Sequence, residues 1–146
     1  MTPSAVRLIE PGAGKNLLVL GTTQHIKLTG ADTSQAYSLL EEIGPPGSEV
    51  PSHVHACEDE TYFVLEGTYE FTIGGKTVLA GPGTTLFAPR GVPHSMKVVG
   101  RETARVLTVV SPPGLEAMFE ELSRLPEDAS DDAVAAVCRR YGVEFV

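Results

Sequence analysis

Two histidines, His53 and His55, stand two residues apart in the stretch GSEVPSHVHACEDETYFVLEG, residues 47–67. On a β-strand that spacing sends both imidazoles out of the same face. Glu60 follows five residues after His55, at the start of a second apolar run over residues 61–65. If the two runs pair antiparallel across the acidic connection, the carboxylate folds back over the imidazoles. Nitrogen and oxygen donors converging from separate strands make a metal-site arrangement. A further donor, His94, follows the Pro-rich turn of PRGVPHSM and opens another apolar strand. Three neutral imidazoles and one carboxylate leave a divalent ion with net positive charge and with coordination positions still open. Open positions are the mark of a catalytic rather than a structural site. The donor set admits iron, manganese, nickel, cobalt, zinc or copper and does not choose among them.

Proton transfer beside such an ion needs a second group. Glu60 could loosen and take a proton, or Tyr62, two residues on and on the same strand face, could act with it. Tyr62 has an equally good use as a wall residue whose ring packs and whose hydroxyl finds a local partner. Glu41, Glu42, Glu58 and Asp59 are further carboxylates, most of them expected to be solvated. Alternation suggests Tyr37, Phe71, Ile73, Met96, Val98 and Val106 as pocket lining. His25 lies on an alternating segment with no metal spacing to the others and reads as a half-exposed strand residue. Cys57 and Cys138 read as unrelated free thiols, since two cysteines make no disulfide framework.

The elements that must position these groups are short. The 146 residues suit one domain with a real core, and 15 glycines and 11 prolines mark many turns. That composition fits an all-β barrel or sandwich. Residues 1–14 read as an extended lead-in and residues 15–28 as two short strands. Residues 35–43, QAYSLLEEI, have the propensity of a helix but are cut short by Pro45 and Pro46. A meander follows, with strands over 50–55, 60–65, 69–73, 77–79, 84–88, 94–99 and 104–110. Gly74-Gly75 marks one tight hairpin, and Gly100-Arg101-Glu102 another. Beyond Pro113 the period changes. Leu115, Met118, Phe119, Leu122 and Leu125 form a helical stripe ended by Pro126, and a second helix capped by Ser130 runs to about Tyr141.

A formal net charge of −8 argues against nucleic acid as a partner. No apolar run approaches membrane-spanning length, and the N-terminal residues lack a basic segment followed by an apolar core. A cytoplasmic protein acting on a small molecule, with neither nucleic acid nor membrane as partner, is expected.

Taken together, the spacings resemble the two signatures of the cupin family. Gly47, His53, His55, Glu60 and Gly67 match the first, and Gly83, Pro89, Gly91 and His94 the second. Val98 departs from it, standing where the fuller second signature carries an asparagine. The resemblance implies an antiparallel jelly-roll barrel over about 36–111, with helices over about 113–142, in a single domain. It also implies a strand rather than a helix at 35–43. Within the family, the chain resembles small quercetin-dioxygenase-like members. These imply dioxygenase-type oxidation of an enolisable or phenolic substrate chelated to the metal. Similar small cupins work as non-redox Lewis-acid cyclases, isomerases or lyases, and others bind a small molecule without turnover. Such proteins commonly pair through sheet edges, so a homodimer is expected, with residues 17–28 supplying the contact.

Overall fold

The computed structural model describes residues 4–146. Of the extended lead-in, residues 1–3 lie outside that range, and residues 4–10 carry no regular structure. Two antiparallel sheets then face each other. One holds β1 (Lys15–Val19), β2 (Thr22–Leu28), β3 (Ser38–Gly44), β10 (Ala104–Ser111), β5 (Asp59–Glu66) and β8 (Thr85–Ala88), in that spatial order. The other holds β11 (Val143–Phe145), β4 (Glu49–His55), β9 (His94–Val99), β6 (Thr68–Ile73) and β7 (Lys76–Ala80). This is the expected jelly roll. The segment 35–43 enters it as strand β3, because its apolar positions pack against β2 and β10 rather than against a helix groove.

The meander expectation fails in one respect. β4 and β5 do not pair with each other; β4 lies between β9 and β11, and β5 between β10 and β8. β9 and β10 likewise belong to different sheets, so Gly100-Arg101-Glu102 is a crossing and not a hairpin. The physical reason is closure. A chain that alternates between facing sheets buries both inner faces, which a flat meander of short strands cannot do. Of the two expected hairpin turns, Gly74-Gly75 does join paired neighbours, β6 and β7. Gly67 sits at another crossing with φ +71°, and a Cβ there would lie 2.7 Å from the Ala104 Cα. Both backbone and space therefore require glycine.

Two apolar clusters bracket the interior. Val64, Tyr69, Phe71, Val98 and Val106 fill one end between the sheets. The other is closed by α1 (Leu115–Ser123) and α2 (Asp131–Arg140), whose Leu115, Met118, Leu122, Val134 and Val137 pack on Val19, Ile26, Leu40 and Val110. The Ser130 hydroxyl caps α2 by accepting from the Ala133 N–H at 3.2 Å. Leu125 falls beyond the end of α1 but still packs against this cluster. Strand β11, after the second helix, has no counterpart among the expected elements.

Candidate metal centre

His53 and His55 are buried on β4, and His94, the first residue of β9, is the direct cross-strand neighbour of His53. Glu60 reaches them from β5 in the facing sheet. The register of β4 against β9 shifts between Val50 and His53, at Pro51, which cannot donate to the ladder. All four residues are buried, and one donor atom from each lies within 4.8 Å of the other three. The convergence comes from opposite sheets, not from the hairpin that local sequence suggested.

The rings are aimed by their outer nitrogens. His53 Nδ1 donates to the Pro51 carbonyl at 2.8 Å, and His94 Nδ1 to the Val92 carbonyl at 3.2 Å. A neutral imidazole bound in this way keeps its Nε2 lone pair for the centre. His55 Nδ1 lies 3.6 Å from Glu58 Oε2, and its Nε2 lies 3.3 Å from Glu60 Oε2. Both its nitrogens are buried without a hydrogen-bond partner among the described residues. His94 Nε2 lies 2.9 Å from the same Glu60 oxygen. The orphaned Nε2 of His55, crowded with His94 Nε2 around one oxygen of Glu60, fits a divalent cation that would take both lone pairs.

Charge follows geometry. Burial, and then the charge of His94, pushes the His53 pKa down to about 4. Burial also opposes a charged His55, but the carboxylates of Glu58 and Glu60 outweigh it and raise its pKa to about 9. For Glu60, burial favours the neutral acid, yet His55 and His94 hold its carboxyl well below the usual carboxylate range. The Tyr62 hydroxyl donates to Glu60 Oε2 at 2.5 Å. Burial, with Glu60 beside it, keeps that phenol protonated far above its ordinary range.

The centre opens onto a cavity of about 120 Å³. Leu40, Val50 and Met96 line it from the sheets, and Met118, Phe119 and Leu122 from α1. The first helix therefore covers the pocket as well as the barrel end. Of the lining residues suggested by alternation, only Met96 reaches the cavity; Phe71, Val98 and Val106 sit in the apolar cluster behind it, with Ile73 packed against that cluster and Tyr37 exposed at the surface. His25 is buried, not half-exposed, with Nδ1 3.9 Å from Glu41 Oε1, and takes no part in the centre. Glu41 is buried too and is paired with Arg105 at 3.0 Å, while Asp59 is paired with Arg90 at 3.2 Å. Glu58 is buried against His55, and Glu42 lines the cavity beside Gln24. The expected solvation fails for Glu41 and Glu58, which are buried, while Glu42 and Asp59 are half-buried. On β3 the face is decided by strand phase, which packing sets. Cys57 and Cys138 are both free thiols. Among the described residues no helix is long and apolar enough to cross a membrane.

The family model for the Cupin domain matches residues 40–110. The quercetin 2,3-dioxygenase of Bacillus subtilis is 28% identical over 99 residues, covering 68% of this chain and 29% of that protein. An oxalate-binding protein of Thermotoga maritima is 36% identical over 66 residues, covering 45% of this chain and 54% of that one. The chain spans between 29% and 64% of the length of the curated relatives it matches. Among solved structures, the polyketide cyclase RemF of Streptomyces resistomycificus superposes with a TM-score of 0.64 at 26% identity. That likeness covers 73% of this chain and 79% of the cyclase.

Proposed function

Residues 40–110 are a cupin domain, and from that premise we propose a mononuclear metal-dependent enzyme that oxidises a small enolisable or phenolic substrate with O₂. One observation carries the reading. Four buried donors converge, three of them lining a mostly apolar cavity, with a protonated phenol resting on the one carboxylate among them. His53, His55, Glu60 and His94 would hold the ion. A redox-active ion there supplies Lewis acidity toward chelating oxygens and a route for electrons to O₂.

The chain's own residues do the rest. The apolar walls from Leu40, Val50, Met96 and Met118 exclude water and favour a flat, carbon-rich substrate. Glu60 is an ionised carboxylate that can take a substrate proton once it loosens from the ion, and it already shares a short hydrogen bond with Tyr62. Tyr62 acts as a donor, since its phenol stays protonated and steadies the negative charge on Glu60. Both roles make them the catalytic pair of this reading. The likeness to the dioxygenase supports it. The likeness to RemF favours a second reading, in which the same four residues would hold a non-redox ion as a Lewis acid and Glu60 and Tyr62 shuttle the proton of a cyclisation.

Turnover in an oxygen electrode separates the two. Protein loaded separately with iron(II), manganese, nickel or zinc is offered quercetin and a panel of smaller catechols and enolones. Oxygen uptake with redox-active ions and none with zinc is expected. Equal turnover with zinc in an anaerobic chamber overturns the oxidative reading.

The enzyme is placed in the cytoplasm, in keeping with two free thiols. It is proposed to work as a homodimer. The support is β1, an edge strand of its sheet beside which Leu18 and Leu20 are 69% and 60% exposed. β2 is already paired on both sides, so the contact narrows to β1 and the turn after it. Light scattering at micromolar concentration should give twice the chain mass; a single-chain mass overturns the assembly.

A further inference from the structure

Glu41 and Glu42 are neighbours on β3 with opposite fates. Glu41, on the strand face away from the cavity, is buried and is neutralised by Arg105, whose Nη2 lies 3.0 Å from its Oε1. Glu42 points into the cavity and has no cationic partner among the described residues. Its Oε2 accepts from Gln24 Nε2 at 2.6 Å, across the cross-strand pair Gln24–Glu42. Gln24 is itself only 3% exposed and also lines the cavity. The other carboxylate oxygen makes no hydrogen bond among the described residues. Glu42 is half-buried, and a carboxyl drawn that far out of water is normally paired as Glu41 is, because an uncompensated carboxyl is costly there. A buried amide that clamps one oxygen and leaves its twin facing an apolar cavity serves a ligand better than it serves the fold.

We infer that Glu42, held in place by Gln24, is a second recognition point of the cavity. Its free oxygen accepts a hydrogen bond from a hydroxyl that the substrate carries in addition to its chelating oxygens. The inference rests on the chelation reading above and narrows its substrate class. The ligand is a carbon-rich ring system with a chelating oxygen pair at one side and a separate hydroxyl at another. A hydrocarbon-tailed chelator without that hydroxyl leaves Glu42 unpaired in the closed complex, so the site discriminates by penalty as well as by attraction. Burial is the main reason that the Glu42 pKa is pushed up to about 7, with Gln24 opposing and Glu60 adding to the rise. The carboxyl can therefore meet a hydroxyl at either protonation state without an added counter-ion.

The test uses the full chain loaded with zinc and a probe that chelates without redox chemistry. Calorimetry compares tropolone with its 3-, 4- and 5-hydroxy derivatives on wild type, Glu42→Leu, Glu42→Gln and His53→Ala. At least one hydroxytropolone should bind wild type about tenfold more tightly than tropolone does, as expected of a hydrogen bond to a charged or polarised group. That advantage should vanish in Glu42→Leu while tropolone itself binds equally well or better. Glu42→Gln keeps shape and Gln24 packing, and should retain zinc content and melting temperature, which separates lost recognition from lost folding. A wild type without preference for any isomer, or a preference that survives Glu42→Leu, overturns the inference and leaves chelation standing. Tropolone that fails to bind wild type, or binds His53→Ala equally well, overturns the chelation reading and this inference with it.

Discussion

Replacing His53, His55 or His94 by alanine should lower metal content from about one divalent ion per chain to a small fraction of that, since three remaining donors make a poor cage. Each imidazole is more than a donor here. His53 and His94 are fixed by backbone carbonyls through Nδ1, so the Nε2 positions are set before any ion arrives. Removing one ring leaves a gap that neither neighbour can swing to fill. Glu60→Ala should be milder, because water can take the place of an oxygen donor. The same titration carries a pH signature. In the metal-free protein His55 holds its proton up to about pH 9, so below that pH an incoming ion must displace it. Affinity should rise with pH through that range, and uptake near neutrality should release about one proton per ion, read with an indicator dye in weak buffer. Elemental analysis that shows full occupancy in all three histidine variants defeats the assignment.

The His53–His55 pair was legible in the sequence because its geometry is local. A spacing of two puts His53 and His55 on one face wherever the strand goes, and glycines with positive φ such as Gly47 and Gly67 mark the turns around them. Which strand pairs with which is a different kind of information. Nothing in residues 56–58 says whether the chain folds back on its own sheet or steps across to the facing one, and the step across is what closes the barrel. The contrast between Glu41 and Glu42 has the same origin. Period two guarantees that they face opposite ways, but only packing against β2 and β10 decides that Glu42 is the inward one. The tripeptide of β11 is too short to show any period, and it is a strand because the edge of β4 is there to receive it. Where local propensity and partner availability disagreed, as at LLEEI in β3, the partner decided.

Phe71→Ala should cost about 3–5 kcal/mol of folding stability, the largest loss expected from a single truncation away from the metal donors. Phe71 is fully buried, and its ring lies 5.0 Å from Tyr62 and 5.6 Å from Tyr69, centroid to centroid. On either side, Val64, Val98 and Val106 are fully buried as well and too short to collapse into the space. The vacancy would persist, and its cost adds to the lost transfer energy of the ring. The effect reaches the site through one contact. Tyr62 leans on Phe71 and places its hydroxyl on Glu60, so loosening the ring frees the donor that steadies that carboxylate. Phe87 is the matched control, an aromatic of identical size on β8 that is 56% exposed. Phe87→Ala should stay within about 0.5 kcal/mol of wild type, as surface truncations do. Urea midpoints of the metal-free proteins measure both, without stabilisation from a bound ion. If the two variants unfold at the same midpoint, the inward face of β6 has been misassigned, and with it the wall that holds Tyr62 against Glu60.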